Sequence, residues 1–208
     1  MTESTIFGHK DVSRETLDRL RIFESLVKKW TKAINLVSRG DFSKIWDRHI
    51  LDSAQIYPYL PESLSIYSDF GSGGGFPSIV LAALLYGENP DIEINLIESD
   101  GRKAAFLRTA LRELKVPGMV WGKRVQEINL SPARVVTARA VAPLVDLLSM
   151  AQTLINNETI CFFPKGVNWK KEVEVARKQW SFDLKAINSR TQSDAVILEL
   201  GSIERVRG

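Results

Sequence analysis

Apolar residues recur at steps of three and four through Leu17, Leu20, Phe23, Val27, Trp30, Ile34 and Val37. That spacing predicts an amphipathic helix over about residues 13–37, with Ser13 as N-cap. A second helix is expected from Ser43 to just before Pro58, placing His49 and Asp52 three residues apart on a shared face. From residue 66 the pattern changes to short apolar runs alternating with helical stretches. Strands are expected at 66–70, 93–98, 119–122, 135–143 and 159–163, and helices at 79–85, 102–115, 144–154 and 169–180. Strand and helix in alternation predict an α/β domain with a largely parallel sheet. At the end of the chain Leu184–Ile187 and Ala195–Leu200 read as two strands joined by the polar segment 188–194, an antiparallel pair.

Composition narrows the class. A chain of 208 residues with 44% hydrophobic content can bury a sizeable core. The lone Cys161 rules out a disulfide scaffold, and with only His9 and His49 beside it no zinc site is expected. No apolar run approaches the ~20 residues of a membrane span, and a cytoplasmic protein is expected. Net charge is +3, unevenly spread. Residues 61–101 hold seven acids and no Lys or Arg, whereas 102–139 hold nine basic residues against Glu113 and Glu127. A polyanionic partner would meet the second block, although a solvated helix face has the same composition. Within the block, Arg108, Arg112 and Lys115 cluster on one side of the expected helix.

The candidate chemistry centres on Asp69-Phe70-Gly71-Ser72-Gly73-Gly74-Gly75-Phe76-Pro77, a strand end running into glycines and then an apolar helix. Gly71, Gly73 and Gly75 allow a sharp bend and close approach of backbone to a ligand; a flexible turn or a helix cap is the plainer alternative. The dinucleotide pattern G-x-G-x-x-G fits in neither frame, since its last position falls on Phe76 or Ser78. The acid-x-Gly-x-Gly-x-Gly spacing instead resembles motif I of the S-adenosylmethionine (SAM) methyltransferases. Glu98, ending the second strand, is a candidate acceptor for ribose hydroxyls, or else a carboxylate at a helix N-terminus. Val125 and Gln126 stand where an adenine would lie, or form a surface turn. Arg139 and Lys165 fall at the carboxyl ends of two strands, where open α/β sheets bind ligands.

Taken together, Asn35-Leu36 with Ser38, Arg48-His49-Ile50-Leu51-Asp52-Ser53, the Asp69–Pro77 loop, Glu98-Ser99 before Lys103 and Phe106-Leu107, Arg124-Val125, Arg139-Ala140 and Lys165-Gly166 resemble the bacterial small-subunit rRNA guanine-N7 methyltransferases, the glucose-inhibited division protein B family. The resemblance implies a Rossmann-like class I SAM-dependent methyltransferase fold. Its sheet would be mostly parallel, with seven strands and an antiparallel C-terminal strand, and a helical extension over 1–60 would pack on a domain of 61–208. It implies methyl transfer from SAM to N7 of a guanine in 16S rRNA, in a loop near the decoding centre, by a monomer. Cofactor contacts are expected from Gly71, Gly73, Gly75, Phe76, Glu98, Val125, Gln126 and Arg139. RNA contacts are expected from Arg48, Arg102, Lys103, Arg108, Arg112 and Lys165, and positioning roles from Arg139, Lys165 and His49.

Two positions depart from the family pattern: Ser78 where glycine is common and Gln126 where an acid is usual. Guanine N7 has a free lone pair, so alignment can suffice without proton removal. In keeping with this, no Asn/Asp-Pro-Pro-aromatic segment and no Pro-Cys pair occurs. The alternatives are a 2′-O or small-molecule methyltransferase using Lys165, and a non-catalytic SAM- or dinucleotide-binding protein.

Overall fold

In the computed structural model, which describes residues 12–206, the strands are Ile66–Phe70 (β1), Glu93–Ile97 (β2), Met119–Trp121 (β3), Val135–Thr137 (β4), Ile160–Lys165 (β5), Trp180–Asn188 (β6) and Val196–Arg205 (β7). They form one sheet in the order β3-β2-β1-β4-β5-β7-β6. β1 to β5 run parallel, and β7 runs antiparallel to both β5 and β6, as expected. Chain direction across the sheet reverses between β1 and β4, and a doubly wound sheet opens its ligand crevice at the carboxyl ends of such a pair.

The helices are Arg14–Trp30 (α1), Ser78–Glu88 (α3), Gly101–Leu114 (α4), Leu144–Ala151 (α5) and Trp169–Ala176 (α6), with α2 made of a π-helical turn, Trp46–Leu51, continued by Asp52–Ala54. Ser13 caps α1, its hydroxyl accepting from the Thr16 N–H at 3.2 Å. Several expected bounds are corrected. α1 stops at Trp30 rather than near residue 37, because the chain turns at 31–34 and brings Ile34 and Val37 over the same core by a different path. The 43–57 helix is broken into a 3₁₀ turn over Arg39–Lys44, then α2, then Tyr57–Tyr59. The last helix ends at Ala176, since Trp180 and Phe182 are buried as members of β6. Residues 1–11 of the expected extension, His9 among them, lie outside the described residues.

Alternation along the strands divides the core between the faces of the sheet. Phe162 packs with α1, α3 and α4 on one face, and its neighbour Phe163 with α5 and α6 on the other. α1 belongs to the first face, where Leu20, Phe23 and Val27 are fully buried with Phe106 of α4. Each such side chain contributes about 1.5–3 kcal/mol by leaving water, so the helices ahead of β1 are packed into the sheet. α3 is apolar nearly all round, with Ser78 through Leu85 buried, as a central crossover helix must be. Among the described residues no helix is long and apolar enough to cross a membrane.

Candidate active site

The glycine loop is bent by backbone conformations that side chains resist. Gly71 and Gly75 have φ of +65° and +84°. A Cβ on Gly71 would lie 2.3 Å from Val141 Cγ2, and one on Gly75 would lie 2.8 Å from both Ile79 Cγ1 and Phe23 Cζ. The loop is therefore pressed between the segment after β4 on one side and α1 on the other. Glu98 fixes its middle: one carboxylate oxygen accepts the Gly73 N–H at 2.8 Å and the other the Asp100 N–H at 2.7 Å. Asp100 in turn caps α4 by accepting from the N–H groups of Arg102 and Lys103.

Asp69 ends β1 fully buried. Its Oδ2 accepts from the Thr137 hydroxyl, which also bonds the Tyr67 hydroxyl at 2.8 Å. Its Oδ1 is buried with no hydrogen-bond partner. Burial pushes the carboxyl up to about 7, with Glu98 adding to the rise and Ser72, Thr137 and Arg139 opposing it. An orphaned buried carboxylate oxygen beside a loop that excludes Cβ atoms is a fit for the ammonium of an amino-acid moiety. These features suit the methionine part of SAM. Val125 lies buried in a 3₁₀ turn after β3, and Gln126 beside it is exposed.

Two residues past β4, which ends at Thr137 rather than running on through Arg139 as expected, Arg139 joins α2 to the loop. Its Nη1 donates to Asp52 Oδ2 at 2.9 Å and its Nη2 to His49 Nδ1 at 3.0 Å, while its guanidinium lies 5.5 Å from the Phe76 ring centroid. Arginine can only donate, so His49 Nδ1 is the bare nitrogen and Nε2 carries the proton. Burial first, then Arg139, lowers the His49 pKa and keeps the ring neutral. The ring packs on Phe76 at 4.9 Å between centroids. Asp52 is held further by Gln55 Nε2 at 2.8 Å and by the Thr191 hydroxyl.

Beyond Arg139 opens a cleft of about 570 Å³, with Val141, Pro143 and Pro164 among its apolar walls and Asp52, Lys165 and Glu172 among its polar ones. Lys165, at the end of β5, donates to the Ala142 carbonyl and to Glu172 Oε2, both at 2.7 Å. That Glu172 oxygen also caps α5 by accepting the Leu144 N–H at 2.8 Å. Arg48 lines a second hollow that adjoins the cleft, sharing Gly166, Gln192 and Ala195 with it.

The basic helix is less uniform than its charge suggests. Arg102 and Lys103, in the first turn of α4, line a hollow with Asn35 at the ligand edge of the sheet. Arg112 is ten residues further on, about 15 Å along the axis, and pairs with Glu113. Arg108 donates to the Val120 carbonyl at 3.0 Å, covering the sheet's edge strand. Sequence reasoning missed Thr137, Gln55, Thr191 and Glu172. Thr137, Gln55 and Thr191 each make a bond across 68 to 139 residues of chain, and Glu172 reaches Leu144 28 residues away, so no periodic signal flags them.

A sheet in this order with an antiparallel seventh strand, an acid at the end of β1 and a glycine bend over the β1–β4 switch defines a class I SAM-dependent methyltransferase. The fold is shared with M. jannaschii TYW2 in complex with AdoMet, at a TM-score of 0.57 and 12% identity over 84% of this chain and 80% of that one. Residues 16–197 match the family described as rRNA small subunit methyltransferase G, GidB, and the chain belongs to that family. Relatives named ribosomal RNA small subunit methyltransferase G include one from Ruegeria sp. (strain TM1040), 47% identical over 94% of this chain and 95% of its own. Another, from Cereibacter sphaeroides (strain ATCC 17029 / ATH 2.4.9), is 43% identical over 99% of this chain and the whole of its own.

Proposed function

We propose that this protein methylates N7 of a guanine in 16S rRNA, with SAM as donor. The observation that carries the reading is the junction at Arg139, where a loop suited to the cofactor's amino-acid end meets a cleft with ample room for a nucleotide. Bound at the loop, SAM supplies a sulfonium-activated methyl group, whose C–S bond breaks as the guanine lone pair forms the new C–N bond. No proton has to leave for N7 to react, so the chain's task is placement. Asp69 Oδ1, Gly71, Gly73, Gly75 and Phe76 hold the methionine end, Glu98 retains lone pairs for ribose hydroxyls, and Val125 and Gln126 flank the adenine.

The base becomes cationic as it is methylated, and an unpaired arginine beside it would oppose the reaction. Asp52 neutralises Arg139 at the wall of the cleft and leaves the site's field favourable to developing positive charge. Lys165 is held by the Ala142 carbonyl and by Glu172 Oε2, and the alternative in which it activates a ribose hydroxyl is separated by the product. Arg48, beside the cleft, and Arg102 and Lys103, in the first turn of α4, attract the RNA backbone. In this reading the protein works in the cytoplasm and as a monomer. The test is a nucleoside digest of small-subunit RNA from cells lacking this activity, after incubation with the protein and SAM. 7-Methylguanosine supports the reading, and 2′-O-methylnucleosides alone overturn it.

A further inference from the structure

We propose that Lys165 and Glu172 act as a donor–acceptor pair that selects guanine over adenine in the cleft, a role resting on the methyl-transfer reading above. The Lys165 ammonium has three N–H groups and spends two, on the Ala142 carbonyl and on Glu172 Oε2, so one is left. Glu172 Oε2 takes both Lys165 and the Leu144 N–H, and Oε1 has no partner among the bonds described. A donor and an acceptor therefore stand side by side on the cleft wall, and the Glu172 side chain is 25% exposed.

Guanine presents the matching order. Travelling round its ring from N7, the next group is O6, an acceptor, and then N1–H, a donor. The protein presents its groups in a corresponding order: Arg139 just after β4, Lys165 at the end of β5, and Glu172 on α6. With N7 turned to the cofactor side at Arg139, O6 receives the spare Lys165 N–H and N1–H donates to Glu172 Oε1. Adenine has both groups reversed, setting its amino group against the ammonium and its N1 lone pair against the carboxylate. Once the base covers this pair, an unmatched donor and acceptor are the strongest basis for rejecting an isosteric base. Val141, Pro143 and Pro164 provide the flat apolar contact that any purine would share.

The test uses small subunits reconstituted with guanine, inosine or 2-aminopurine at the methylated position. Inosine keeps O6 and N1–H; 2-aminopurine has neither. Wild-type protein is expected to methylate inosine within about threefold of guanine and 2-aminopurine ~10–100-fold less efficiently by kcat/KM. Glu172→Ala removes the α5 cap and can fail to fold, so the deciding variant is Glu172→Gln, which keeps the volume. Its carbonyl would take Lys165 and Leu144, leaving an amide NH2 where the acceptor stood. The guanine to 2-aminopurine ratio should then fall to about threefold or less, with SAM affinity unchanged. A ratio in Glu172→Gln equal to that of the wild type, or a wild type that treats the three bases alike, overturns the pairing and leaves the methyl-transfer reading standing. A wild type that methylates none of them overturns the reading itself.

Discussion

The ionisation of Asp69 should couple cofactor binding to pH. Burial raises its carboxyl from 3.8 to about 7. Between those values the folded protein holds a proton that the unfolded chain has released, so the native state binds more protons. The associated stability is complete below about pH 4 and is lost as pH rises through about 7. At about 1.4 kcal/mol per pH unit, the loss by pH 8 is about 4 kcal/mol. An ammonium placed against Oδ1 reverses the preference and favours the carboxylate, so SAM must displace that proton in acid. With a free-protein value of about 7, the dissociation constant should weaken about 30-fold from pH 8 to about pH 5.5. Asp69→Asn keeps an oxygen for Thr137 and removes the titration. Calorimetry with SAM should show weaker binding that is flat in pH, and urea denaturation should show the variant gaining relative stability as pH rises from about 4 to about 7, with no further gain above that. A wild-type affinity that changes less than about threefold over this range, or an equal slope in Asp69→Asn, would refute the placement of the ammonium at Asp69.

Gly75→Ala should cost about 2–4 kcal/mol in urea denaturation, because the new Cβ meets Phe23 and Ile79 at a positive φ; a loss below about 1 kcal/mol would mean the loop is not pressed against α1. Asp52→Ala strands the Arg139 guanidinium and should destabilise the fold by about 2–4 kcal/mol, with kcat falling more than SAM affinity, whereas Asp52→Asn should recover most of the stability. Arg48→Glu and Lys103→Glu should each weaken RNA binding and reduce its salt slope by about one. Arg112→Glu, remote from the cleft, should leave methylation of small subunits within about twofold; equal losses for all three would place the RNA along the whole of α4.

The fold was legible where one physical rule dominates. The switch from helical periodicity to short apolar runs located five parallel strands, and Asp69 with the glycines marked the β1–β4 switch point. Element ends were less legible. Helical spacing alone carries α1 past Trp30, because Ile34 and Val37 keep that spacing while packing against the same core from a separate turn. α2 was drawn as a plain helix because nothing in Trp46–Leu51 announces a π turn, and that turn carries His49 beside Phe76 and Arg139. Arg139 was placed at the site by its position on a strand end, but its partner Asp52 lies 87 residues away and only the folded chain brings them together. Glu172 looked like one charge among many on a solvated helix, yet it caps α5 and holds Lys165.

The most direct test of the account is a crystal structure of the protein with SAM bound. The cofactor is expected with its ammonium on Asp69 Oδ1, its ribose at Glu98, and its methyl directed past Arg139 into the cleft that holds Lys165. A well-ordered complex in which the methyl faces away from that cleft, or in which SAM lies elsewhere than the Asp69 bend, would contradict it.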